Sequence, residues 1–536
     1  MVARSSCGTA APQARRSGWG DAVGRFTRIV SQEIEEGIVV SAPRIGRDFI
    51  AGEFRSLHGD ALVVRDPSDG ETCLWQATPV LTHIDDAVRA ACAAQPAWAR
   101  RTFEDRAAVL RRYADAVTKR VDSIADCIAQ EMGKLRSEAL LEAKLVAEKV
   151  AITLEDHSLS RVRSYEVAVN ATRVGICSFR AHGVMAVLGP FNFPAHLPNG
   201  QFVPALLAGN AVVFKPSEKA PSAAEILAEC FVEAGLPSGL FNVVQGGVPI
   251  ARALVAHERI DGILFTGSFP VGRAILEANL DRPGRIVALE MGGSNAAIVW
   301  GDCDLQQAVI ECARAAFATT GQRCTCTRRI IVDARIATRF IKAFCQVASS
   351  VLVGPAFTSD PVFMGPLVSE DAVQSMLREQ ERLVRSGARV LVEATRLERA
   401  GNFVTTGVLE VDRFTREEDR ETFAPLVRIA TADSFEDALT QANASDFGLA
   451  ASVFTKNDAL WSESLQRLHA GCINRNTGTA GASSKLPFGG LGRSGNHRPA
   501  AAFALDFCAF PIASMVEQSS SAPLPVGMRA DERWFL

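Results

Sequence analysis

From Gly183 the chain repeats one pattern: a short apolar run, then a longer stretch with apolar residues three and four apart. The runs are "GVMAVLG", "NAVVFKPS", "FNVVQGG" and "IDGILFTGS", and helical patterns lie near 199–208, 222–234 and 271–280. Runs that are apolar throughout suit strands buried on both faces, and helices between them imply crossovers, so the segment predicts a parallel, doubly wound sheet. A second α/β stretch begins near "NAAIVW" and continues through "RRIIV", "ARVLVEA" and "PLVRIATA" to about residue 475. Upstream, "RDFIAGEFRSLHGDALVVRDPSDGET" alternates around Gly and Asp turns and predicts short strands or hairpins. Three amphipathic stretches follow. The second, "FEDRAAVLRRYADAVTKRVDSIADCIAQEMGK", reads as one helix ended by Gly133. The tail "LDFCAFPIASMVE" reads as an edge strand for another segment or subunit.

At 536 residues the chain needs at least two packed units. A net charge of −3 gives no global field for nucleic acid or an anionic membrane, and no apolar run has the length of a membrane helix. Thirteen scattered cysteines, an odd number, fit a reducing compartment better than a disulfide framework. The expected location is therefore cytoplasmic. Residues 1–28 hold Arg4, Arg15, Arg16, Arg25 and Arg28 against Asp21, a balance weakly like an organelle transit peptide. Residues 1–40 are expected to be an extension, disordered or targeting.

Five segments could carry chemistry. In "GILFTGSFPVGRAI" an apolar strand meets Gly267, Ser268 and Gly272 at a helix start, which can aim N–H groups at an anion; a routine turn capped by Ser268 fits equally. "NAVVFKPSEKAP" ends a strand with Lys215 and Glu218, where open α/β sheets bind ligands and where the pair could hold ribose hydroxyls or merely begin a solvated helix. "GPFNFP" holds Asn192 between prolines, either a turn or an oxyanion donor. "ALEMGGSNA" puts Glu290 at the end of an apolar strand, where a raised pKa would suit a general base and backbone amides could equally satisfy it.

The fifth segment, "GQRCTCTRR", sets Cys324 and Cys326 one residue apart. No second cysteine pair or nearby histidine pair completes a metal site, and a dithiol redox pair normally has two intervening residues before a helix. A catalytic nucleophile and buried structural thiols remain, and spacing does not choose between the two sulfurs.

Taken together, "GPFNFP", "FKPSE", "FTGSFPVG", "LEMGG", "GQRC", "ETFAPL" and "PFGGLGRSG" resemble, in order and spacing, the NAD(P)-dependent aldehyde dehydrogenase superfamily over about residues 45–515. The resemblance implies Cys324 as nucleophile, Asn192 as oxyanion donor and Glu290 as the base for the deacylating water. It also implies NAD as cofactor and an aldehyde substrate, with no metal. Lys215 and Glu218 would face the adenosine ribose, Gly267, Ser268 and Gly272 the pyrophosphate, and Glu421 and Phe423 the nicotinamide. The carboxylate of Glu218 would repel a 2′-phosphate, favouring NAD over NADP.

The implied fold is α/β: a Rossmann-type cofactor domain (41–152 and 177–295), a catalytic domain (296–475), and a small β oligomerisation arm (153–176 and 476–515) before a tail at 516–536. By resemblance the arm builds a homodimer or homotetramer. "HLPNG", the "CTC" doublet and "SGNHRP" are similar to the branch of this family that oxidises N-succinylglutamate semialdehyde. That substrate carries three carboxylates, for which Arg475, Arg493 and Arg498 are candidates. Ala424, Arg420 and "INRNTGTAG" depart from the branch pattern.

Overall fold

The computed structural model describes residues 42–417, 419–520 and 522–536, so the expected extension lies outside the described residues. Two seven-stranded sheets organise the chain from Pro43 onward. Five parallel strands of the first run in the spatial order Ile286–Glu290, Gly262–Thr266, Val184–Leu188, Ala211–Lys215 and Phe241–Val243. The antiparallel hairpin Arg47–Ile50 and Glu53–Ser56 extends one edge. Its two-residue turn has Ala51 and Gly52 both at positive φ (55° and 89°), the backbone that matches strand twist.

Chain direction across the sheet matters for function. The path moves outward from Val184–Leu188 to Phe241–Val243, then returns to Gly262–Thr266 on the other side of its starting strand. The reversal opens a crevice at the carboxyl ends of these two strands, where such sheets receive ligands.

One sequence reading needs correction. The stretch read as a single helix is two, Phe103–Lys119 and Val121–Met132, parted at Arg120 (φ −113°). Both pack on Arg136–Thr153 and Ser222–Glu233, the first also on His196–Leu207, and the break lets each half lie against these shared neighbours at its own angle. Thr102 starts the pair with a capping box to Asp105, and Gly133 (φ 72°) ends it.

In the second sheet the order is Arg389–Val392, Gly407–Glu410, Leu426–Ala432, Thr327–Asp333, Asn295–Val299, Ala450–Phe454 and Cys472–Arg475. All pairs are parallel except the first. A third sheet pairs Arg173–Ala181 with Tyr165–Ala168 and, over nine residues, with Ala509–Glu517. This sheet exposes Tyr165, Val167, Phe510 and Met515.

Candidate active site

Four of the candidate segments converge because each follows the carboxyl end of a strand in the first sheet. Asn192 lies just beyond Leu188, Lys215 ends its strand, Gly267 and Ser268 follow Thr266, and Glu290 ends the last strand. Cys324 arrives from the other sheet, three residues before Thr327–Asp333. Residues 291–294 join Glu290 to the strand Asn295–Val299, so the two sheets meet end to end here. Asn295 fastens the junction: its Nδ2 donates to the carbonyls of Cys324 (2.7 Å) and Cys326 (2.8 Å), while its Oδ1 accepts from Ala450 N–H.

The segment entering Cys324 is strained. Thr319, Thr320 and Gly321 all have positive φ, a backbone that β-branched residues rarely adopt. Glu138 holds it by accepting from Thr319 N–H and Oγ1, and Thr320 Oγ1 donates to Gly365 O. A Cβ on Gly321 would lie 2.3 Å from the Ala424 carbonyl carbon, so glycine is required by both contact and conformation.

Exposure separates the two thiols that spacing left equal. Cys324 is half-buried, whereas Cys326 is fully buried with its Sγ 3.8 Å from Ala318 O. Burial, then the carboxylates of Glu421 and Glu290, push the Cys324 thiol well above its ordinary range. The resting sulfur is therefore a thiol.

Asn192 is buried, and its Nδ2 donates to Gln322 O at 2.9 Å. An amide nitrogen carries two hydrogens, so one N–H is fixed on the segment before Cys324 and the other remains for a ligand. Its own carbonyl accepts from Lys134 Nζ at 2.6 Å. Lys134 in turn pairs with Glu142 at 2.6 Å, and Glu142 accepts from the N–H groups of Ala195 and His196.

Glu290 is buried, and burial raises its carboxyl well above the usual 4.5, with Ala500 N–H pulling weakly the other way. Its Oε2 has no hydrogen-bond partner among the described residues. A Cβ on Gly489 would come within 2.9 Å of Oε1.

On the opposite side, Lys215 is buried with its ammonium on the carbonyls of Pro216 (2.5 Å) and Gly246 (2.6 Å) and 3.5 Å from Glu218. Burial lowers its pKa. Glu218 and Lys219 line a cavity of about 590 Å³ with Glu131, Val368 and Ser369.

The glycine turn works by close approach. Gly267 gives its N–H to Glu290 O (3.0 Å) and Gly272 gives its own to Ser268 O. A Cβ at Gly272 would strike Met291 Sδ at 2.4 Å. The N–H groups of Phe269 and Val271, which no acceptor among the described residues takes, remain for an anion beside exposed Ser268. Glu421 accepts from Gly293 N–H at 3.0 Å, and Phe423 meets Phe191 edge-on at 5.8 Å. A Cβ on Gly292 would fall 1.8 Å from Glu421 Oε2, and one on Gly293 would lie 2.9 Å from Cys324 O, so both positions of the pair in "LEMGG" are closely approached.

Among the arginines, Arg475 pairs with Asp458 (2.6 Å) and Arg493 with Asp446 (2.9 Å). Arg498 has no carboxylate partner among the described residues and sits two positions from Ala500, whose N–H reaches Glu290. Lys134, Glu142 and Asn295 escaped the reading of the sequence. Charges spaced along helices read there as a solvated face, and one Asn in a strand carries no signal.

The matches to known proteins agree with this layout. Residues 54–509 match the model of the aldehyde dehydrogenase family. An N-succinylglutamate 5-semialdehyde dehydrogenase of Paraburkholderia xenovorans is 41% identical over 481 residues, 89% of this chain and 98% of that protein. One bearing the same name from a Caulobacter species is 43% identical over 468 residues, 87% and 95% of the two chains. Among solved structures, the lactaldehyde dehydrogenase of Escherichia coli superposes with a TM-score of 0.84 at 28% identity, over 89% of this chain and all of that one. An indole-3-acetaldehyde dehydrogenase solved with NAD+ gives 0.83 at 28% identity, over 88% and 97%. A family model spanning most of the chain, with relatives above 40% identity across nearly their full lengths, has one reading: the chain belongs to the aldehyde dehydrogenase family.

Proposed function

We propose that this chain is an NAD-dependent dehydrogenase that oxidises N-succinylglutamate 5-semialdehyde to N-succinylglutamate. One observation carries the reaction type: Cys324, Asn192 and Glu290 meet at the junction of the two sheets, while Lys215, Glu218 and Ser268 lie along the carboxyl edge of the first. The names of the relatives supply the substrate.

The residues fit a dinucleotide. Glu218 and Lys215 can meet ribose hydroxyls, and the free N–H groups of Phe269 and Val271 suit a pyrophosphate. Bound NAD supplies the hydride acceptor.

The Cys324 sulfur, once deprotonated, adds to the aldehyde carbon, and the second N–H of Asn192 with the Cys324 backbone N–H stabilises the oxyanion. After oxidation the acyl group remains on sulfur as a thioester. Glu290 takes a proton from water, the water oxygen adds to the acyl carbon, the C–S bond breaks, and the acid leaves. Burial makes Glu290 a strong base when it is ionised.

Homo-oligomerisation through the sheet of Tyr165–Ala168, Arg173–Ala181 and Ala509–Glu517 belongs to the same reading. Support comes from its exposed apolar side chains and its two edges, unpaired among the described residues. A reducing, cytoplasmic setting accompanies it, because the twelve described cysteines are all free thiols.

NADH formation by the full chain is measured with N-succinylglutamate 5-semialdehyde, succinate semialdehyde, glutamate semialdehyde and pentanal. The highest kcat/KM is expected for the first. Equal or better efficiency on pentanal would overturn the substrate, leaving a broader aldehyde dehydrogenase.

A further inference from the structure

We propose that Lys149 is a specificity residue, whose ammonium binds a carboxylate of the aldehyde substrate remote from the reacting carbon. The inference rests on the substrate class just proposed and extends it to a residue.

Lys149 lies on the helix Arg136–Thr153, one face of which serves the active site along its length. Glu138 holds Thr319 and Arg323, immediately before the nucleophile. One turn on, Glu142 holds the N–H groups of Ala195 and His196, behind Asn192. Two turns further, Lys149 continues that face, only 2% exposed, and its Nζ has no hydrogen-bond partner among the described residues.

A buried ammonium without a partner is costly, and a neutral side chain of the same length would fill the space at less cost. One more observation points to a ligand. Gly200, partly exposed on the neighbouring helix His196–Leu207, leaves room over the lysine: a Cβ there would sit 3.6 Å from Lys149 Cε. The absent side chain gives an entering group access to the lysine end.

The spacing suits the substrate. Seven residues separate Lys149 from Glu142, about 10 Å along a helix, which is about the reach of three residues of extended backbone. An acylated amino-acid semialdehyde has that scale, with carboxylates at its far end. The lysine would then gain the acceptor that it lacks, a charge-assisted contact formed with the substrate and absent from a neutral aldehyde.

The test compares kcat/KM for N-succinylglutamate 5-semialdehyde with that for pentanal, in the wild-type chain, Lys149→Met and Lys149→Arg. In Lys149→Met the ratio is expected to fall at least about tenfold, through KM rather than kcat, and Lys149→Arg should recover part of it. Thermal melting checks folding, and loss of an unpaired buried charge should not lower Tm. An unmoved ratio overturns the role of Lys149, whether both substrates are lost equally or neither is. If the wild type prefers succinate semialdehyde, the substrate proposal fails while Lys149 is judged by the same ratio on that aldehyde. If it prefers pentanal, both proposals fall.

Discussion

Lys134 Nζ and Glu142 Oε2 lie 2.6 Å apart with both side chains wholly excluded from solvent, and this pair supports the loop that carries Asn192. The ammonium also sits 3.7 Å over the Phe193 ring. Breaking such a pair from one side leaves an uncompensated charge, a cost of about 3–5 kcal/mol. Glu142→Ala should therefore lose stability of that order by urea unfolding. Surviving folded enzyme should also turn over more slowly, since the N–H groups of Ala195 and His196 then lose their acceptor. Unchanged kcat with lowered stability would show that the pair supports the fold but not the proposed oxyanion donor, Asn192.

Glu290 predicts a pH effect on stability with a definite sign. Its folded pKa is raised by burial, so above the usual 4.5 the folded chain binds a proton that the unfolded chain has released. The unfolded state binding fewer protons, stability falls as pH rises above that value and levels off once the folded carboxyl has ionised. Glu290→Gln removes this loss, so it should raise Tm at pH 8 and flatten the dependence on pH. The same variant should stop thioester hydrolysis and leave one turnover of NADH as a burst. A Tm difference that grows toward acid would refute the assigned direction.

Much of the fold was legible because its signals are local. Strands such as "AVVFK" and "GILFT" are apolar throughout, so their burial on both faces could be read directly. Asn192, Glu290 and Cys324 stood out as motifs, and the first sheet brings their segments together since each follows a strand's carboxyl end or the sheet junction. Buried charge was not legible. Glu131, Lys134, Glu142 and Lys149 sit at helical spacing among apolar residues, and in one dimension they look like a solvated stripe. Only packing shows that Ser222 meets Glu131, or that Glu142 meets the Asn192 loop. The break at Arg120 was hidden for a related reason: helix-forming residues flank it, and tertiary neighbours decide where the chain turns.

Gly321 offers a local test of the strained entry to Cys324. At φ 69°, with the Ala424 backbone 2.3 Å from where an added methyl would stand, Gly321→Ala meets both an unfavourable conformation and a wall that cannot rotate away. Together these should cost about 3 kcal/mol. Urea unfolding of Gly321→Ala is expected to show this loss, and dehydrogenase activity should fall because Gln322 O, the anchor of Asn192, moves with it. A variant of unchanged stability would mean that the segment relaxes freely.

The two thiols should differ sharply toward an alkylating agent. Thiolate is the reactive form, and burial with Glu421 and Glu290 holds Cys324 as a thiol at neutral pH. Its labelling by iodoacetamide should be slow at pH 7 and rise about tenfold per pH unit through the alkaline range, as the thiolate fraction does. Glu421→Gln removes a nearby carboxylate and should speed labelling at a fixed pH. Cys326 is sealed from solvent, so Cys326→Ser should keep most activity and the same labelling rate, while Cys324→Ser should abolish both. Peptide mass spectrometry locates the label, and modification of Cys326 ahead of Cys324 would mean that the nucleophile is the other sulfur.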